Sequence, residues 1–265
     1  MKHTWQITLI LLLFFLIAQF IGLAVTAEYI IDDDLPLGIE RPEIEESTSF
    51  IPVFVFILVA TVLVLVLLKF KLFRLWKFWF LLSVFFCLTV SFNAFIAQMY
   101  AIGLAIVLAI WKVLKPNMYV HNFTELFVYG ALAAIFAPMF NVFSIVLLLI
   151  LISVYDYIAV FKTKHMVTMA KSQEKANVFA GLYIPYGKNV AILGGGDIGF
   201  PLLFGGVVMH QFSLGLLSWQ LYLIPLGAAL GLMTLFLIGD KKKFYPAMPF
   251  VTIGCFVGLA LVYLF

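Results

Sequence analysis

Apolar runs long enough to cross a bilayer, separated by short polar breaks, follow one another along the whole chain. Nine can be drawn, at about 5–27, 51–68, 78–96, 98–114, 123–138, 141–161, 191–210, 216–238 and 246–265. Some 20 consecutive apolar residues in helical form span a ~30 Å hydrocarbon core, so the pattern predicts nine transmembrane helices. Two of the divisions need an argument. As one helix, the stretch 78–111 would be roughly 50 Å long at 1.5 Å per residue. It must fold back, and Asn93 and Gln98 mark the turn. Residues 123–161 are likewise too long for one crossing, and Pro138 to Asn141 supply the break.

Composition agrees with the pattern. The 265 residues are 65% hydrophobic and 11% charged, whereas a soluble domain is nearer half apolar and a quarter charged. The expected class is an all-α polytopic membrane protein, a single transmembrane domain over 1–265 in the cell membrane. Residues 1–161 hold spans one to six, 162–190 form the longest cytoplasmic connection, and 191–265 hold spans seven to nine. Along this path every Lys and Arg except Arg41 falls in an odd-numbered connection. Cytoplasmic loops collect basic residues, so the N-terminus is expected inside and the C-terminus outside. Omitting either division would invert every later loop and destroy the alternation.

Several chemistries lose support. "AVTA" before Glu28 resembles a signal-peptidase site, but the run ahead of it is long for a signal peptide, so a retained helix is expected. A formal charge of +3, thinly scattered, does not suggest nucleic acid. Cys87 and Cys255 are embedded in apolar runs, and the four histidines are dispersed, so neither a metal nor a cofactor is expected. Residues 28–50 hold eight acids without the spacing of a calcium loop, and read as a solvated external loop. "GGG" at 194–196 follows no expected strand, which removes a dinucleotide-binding reading. Gly227/Gly231 and Gly254/Gly258 present small-xxx-small faces for helix packing on spans eight and nine.

Of the 13 acids, only Asp156 and Asp197 are expected inside apolar segments; Glu125, Glu174 and Asp240 are assigned to loops or span ends. Asp156 precedes Lys162 by six residues on span six. Asp197 lies about six residues into span seven, so each stands roughly 9 Å below the cytoplasmic boundary. A lone intramembrane acid can be structural, bonded to a neighbouring hydroxyl; a depth-matched pair on neighbouring spans weakens that reading. Two close carboxylates in a poorly solvated site share one proton, which makes one an acid and the other a base. That is what activating water against a peptide carbonyl requires. Gly194, Gly195 and Gly196 before Asp197, and Pro201 after it, are expected to loosen the backbone there.

The motifs also carry a family resemblance. "ISVYDYIAVFKTKHM" from Ile152, with Tyr155 before Asp156, resembles the Tyr-Asp motif of presenilins and signal peptide peptidases. "GGGDIGFP" is similar to their Gly-x-Gly-Asp motif, and "PAMPF" at 246–250 to the Pro-Ala-Leu motif that opens the last span. The motifs come in family order, and nine spans with an inside N-terminus resemble presenilins rather than signal peptide peptidases; the compact size suggests an archaeal homologue. The resemblance implies an intramembrane aspartyl protease in which Asp156 and Asp197 hydrolyse transmembrane or signal-peptide-like substrates. It also implies that Pro246, Ala247, Met248 and Pro249 help hold substrate, Met248 standing where the family has leucine. Two rivals use the same residues differently. A prepilin-type peptidase also has a Gly-x-Gly-Asp aspartate, but Tyr155–Asp156 and the Pro-Ala-Met-Pro segment argue against it. A proton-coupled transporter or leak channel would use the pair as an ion site, but the inverted repeat expected of many transporters is missing.

Overall fold

The computed structural model describes residues 4–31, 34–162, 179–187, 189–240 and 245–265. Among them are nine helices: α1 (Trp5–Ile31), α2 (Phe50–Lys69), α3 (Phe73–Asn93), α4 (Gln98–Leu114), α5 (Met118–Phe136), α6 (Val142–Phe161), α7 (Gly195–Gln211), α8 (Leu223–Ile238) and α9 (Met248–Leu264). Six segments are long and apolar enough to cross a membrane by length and composition: Trp5–Ile30, Phe50–Leu67, Phe73–Asn93, Met118–Met139, Val142–Phe161 and Trp219–Ile238. α4 and α9 are shorter apolar helices.

Both argued divisions are present. α3 ends at Asn93 and α4 begins at Gln98. Pro138 sits in a 3₁₀ turn, Ala137–Met139, and Asn141 then starts α6 with a capping box: its side chain accepts from Ser144 N–H, while Ser144 Oγ accepts from Asn141 N–H. Residues 24–27 are part of α1, with Val25 and Thr26 fully buried. α1 packs chiefly on α5, with α7 and α8 completing its surroundings, while α2 is mostly exposed along its length.

Two expectations are corrected. The seventh apolar segment is not helical from its start. Gly181–Tyr186 (β1) and Asn189–Gly194 (β2) form an antiparallel hairpin, with Leu182 opposite Leu193 and Ile184 opposite Ala191. The glycine run therefore does follow a strand, though a hairpin strand rather than one of a parallel βαβ unit, so the dinucleotide reading still fails. Asp197 consequently stands in the first turn of α7 and not six residues into a helix. The expected connection at 162–190 falls largely on residues 163–178, which lie outside the described residues.

The glycine faces on the last two helices meet as expected. A Cβ on Gly227 would stand 2.2 Å from the Gly254 carbonyl oxygen, and one on Gly254 would stand 2.1 Å from that of Gly227. Nothing but glycine fits when two backbones approach this closely. α8 and α9 thus pack as one unit, which fixes where the first residue of α9 is delivered.

Candidate active site

α6, α7 and α9 pack against one another, and each brings one part of the site. Asp156 lies on α6 with 6% of its surface exposed. A buried carboxylate needs hydrogen-bond donors, and α9 supplies one: the backbone N–H of Met248 donates to Asp156 Oδ2 at 3.1 Å. The amide of Ala247 acts on the same carboxylate. Met248 is the first residue of α9, so this N–H has no carbonyl within the helix to bond. Pro249 in the same turn lacks an N–H, a position where helices tolerate proline. A second link, Ser153 Oγ to Thr252 Oγ1 at 2.8 Å, pins the same faces of α6 and α9 one turn away.

Pro246, Ala247 and Met248 are buried, and the Ala247 carbonyl accepts from both Phe250 and Val251. The segment is therefore a helix start clasping Asp156, rather than an extended strand with open backbone groups. Tyr155, beside Asp156, is half-buried.

Asp197 is half-buried in the first turn of α7. The glycines around it act through close approach rather than looseness. Gly194 caps the helix with ordinary extended backbone, and a Cβ there would crowd Asp197 Oδ2 at 3.2 Å. A Cβ on Gly195 would strike the Tyr129 hydroxyl at 2.7 Å, whereas Gly196 would meet only Phe200 at an ordinary 3.4 Å. Pro201 lies inside α7, where it offers no N–H to the preceding turn. One residue after Asp197, the Ile198 carbonyl receives the side-chain amide of Gln19, from α1, at 2.8 Å.

The chain belongs to the signal-peptide peptidase and presenilin family of aspartyl proteases. The model of that family, "Signal-peptide peptidase, presenilin aspartyl protease", matches residues 12–186, a span that includes Tyr155 and Asp156 and ends with β1, ahead of Asp197. Two structures of a presenilin family intramembrane aspartate protease share the fold. One, in the C222 space group, has a TM-score of 0.69 at 20% identity over 98% of both chains. The other, in P2, has a TM-score of 0.69 at 18% identity over 99% of both. No curated protein matches the chain. The chain is thus a multi-pass membrane protein of a protease family.

Sequence reasoning missed a second buried acid. Glu125, assigned to a loop or span end, lies inside α5 and is 1% exposed. It pairs with Lys112 of α4, counted among loop cations but 3% exposed. Tyr129 Oη and the Gly181 N–H also donate to Glu125. The usable signal was present: Lys112 precedes the polar break at 115–117 and lies within an apolar run, where an unpaired cation is costly.

Proposed function

We propose that this protein is an intramembrane endopeptidase in which Asp156 and Asp197 together activate water. One carboxylate takes a proton from the attacking water while the other, protonated, donates to the scissile carbonyl oxygen. The tetrahedral intermediate then collapses, the C–N bond breaks, and the amine leaves with a proton from the pair. The observation that carries this reading is the Met248–Asp156 hydrogen bond. It sets one acid at the junction of α6 and α9 while α7, packed on both, carries the other. In this reading the N-terminus is cytoplasmic, the membrane is the cell membrane, and Tyr155 and Gly194 to Gly196 support the pair.

A helical transmembrane substrate has every peptide group internally bonded, so cleavage demands an unwound segment with new partners. The hairpin offers them. Tyr183 spends its N–H and carbonyl on the Asn122 side chain, and Gly181 spends its own on Glu125 and His121. These residues face away from β2, so by strand alternation Leu182, Ile184 and Tyr186 pair with it. On β2 the groups of Val190, Ile192 and Gly194 then point to the opposite edge, immediately before Asp197. That edge can add one more strand, the unwound substrate. The Pro-Ala-Met-Pro segment contributes by holding Asp156.

The test is cleavage of a model transmembrane peptide by protein purified in detergent. Wild type cleaves, and Asp156→Asn or Asp197→Asn does not. Residual cleavage by a folded single variant removes that residue from the pair.

A further inference from the structure

The buried cluster around Glu125 lies outside the aspartate pair yet ends against it. Its carboxylate accepts from Lys112 Nζ of α4, from Tyr129 Oη one turn along α5, and from Gly181 N–H of β1 at 2.8 Å. Lys112 Nζ also donates to Thr124 Oγ1 at 3.0 Å and stands 5.8 Å from the centre of the Phe80 ring. Stability alone does not explain such a pair, because well-packed apolar replacements are often as stable or more so. Its geometric effect is specific. One carboxylate holds the strand that backs β2 and the hydroxyl of Tyr129 at the same time. The Tyr129 ring then fills the space against the first turn of α7. A Cβ on Gly195 would lie 2.7 Å from its hydroxyl and 3.1 Å from Cε1, and a Cβ on Gly199 would lie 3.4 Å from Cδ1. These two glycines bracket Asp197.

We propose that Tyr129, held by Glu125 and Lys112, is a positioning residue for Asp197. Its ring sets how closely the first turn of α7 approaches α5, and so where that carboxylate stands. This inference rests on the protease reading.

The experiment measures kcat and KM on a model transmembrane peptide, with thermal stability of each purified variant alongside. Tyr129→Phe keeps the ring but releases it from Glu125; kcat should fall about five- to ten-fold with KM nearly unchanged. Lys112→Met with Glu125→Gln removes both charges, leaves neither orphaned, and should lower kcat similarly. Gly195→Ala should lose at least ten-fold by pushing against the hydroxyl. Adding Tyr129→Phe to Gly195→Ala removes the nearest clashing atom and should restore part of the rate, a reversal of sign that a general loss of stability would not produce. Wild-type kcat in Tyr129→Phe and in the charge-free double variant overturns the proposal, as does a Gly195→Ala/Tyr129→Phe enzyme slower than Gly195→Ala. Should Gly195→Ala fail to fold, the first two variants decide. Absence of cleavage by wild type overturns the protease reading itself and this inference with it.

Discussion

The Gln19 amide and the Ile198 carbonyl, 179 positions apart, are joined by a buried 2.8 Å hydrogen bond. Through it the middle of α1 holds the backbone next to Asp197. Gln19→Leu keeps the bulk and removes the bond. A net hydrogen bond contributes about 1 kcal/mol, so the variant should unfold only slightly earlier while its kcat falls several-fold. Calorimetric melting and cleavage kinetics on one preparation check both halves; an unchanged kcat would leave Gln19 as packing only.

The aspartates should act as a unit. The Asp156→Asn/Asp197→Asn double variant is expected to be no slower than either single one, because groups that share one chemical step are not additive. Neither single variant should melt appreciably below wild type, and Asp156→Asn should melt at or above it, since a buried ionisable group is replaced by a neutral one while a side-chain oxygen still accepts from Met248. A background rate measured with each purified variant settles the first point and a melting curve the second.

Replacing residues 246–249 with four leucines should extend α9 backwards by a turn. The N–H of residue 248 would then be bonded within the longer helix and leave Asp156. Turnover should drop at least ten-fold, about 1.4 kcal/mol of transition-state stabilisation. Wild-type turnover would reduce the segment to a helix cap.

Proline at position 192 tests the strand edge. The Ile192 N–H points away from β1, so Ile192→Pro takes no bond from the hairpin, whereas Leu193→Pro takes one. Ile192→Pro should lower kcat/KM about ten-fold with the melting temperature nearly unchanged, while Leu193→Pro should also melt earlier. Equal kcat/KM in Ile192→Pro and wild type would rule out strand addition at this edge.

Much of the fold was legible because a bilayer leaves few choices. Run length, the breaks at Asn93–Gln98 and Pro138–Asn141, and the glycine faces of α8 and α9 each act through one local rule, and the structure follows them. The hairpin was not legible. "NVAILG" is an apolar run that merges with the helix after it, "GLYIPY" falls in the expected connection before it, and periodicity cannot divide a short apolar strand from a helix. Glu125 was missed for a different reason. Its burial depends on Lys112 and on Gly181, and those partners are brought to it by tertiary packing rather than by spacing. Asp156 and Asp197 could be singled out because an acid in an apolar run stands out without knowledge of its neighbours, whereas Tyr155 was marked only by the family resemblance.

In the protease reading the edge of β2 has a consequence for hydration as well. A backbone N–H or carbonyl left without a partner in hydrocarbon costs several kcal/mol, and by strand alternation the groups of Val190, Ile192 and Gly194 all point to the side away from β1. Val190 and Ile192 are more than a third exposed. A strand edge that no other part of the protein covers is stable only in contact with solvent, so the proposed reading calls for water along the outer edge of β2 up to the start of α7. Hydrolysis consumes one water per bond cut, and Asp197 lies three residues beyond Gly194. In the proposed reading, the edge that takes a substrate strand would also keep the co-substrate water near Asp197.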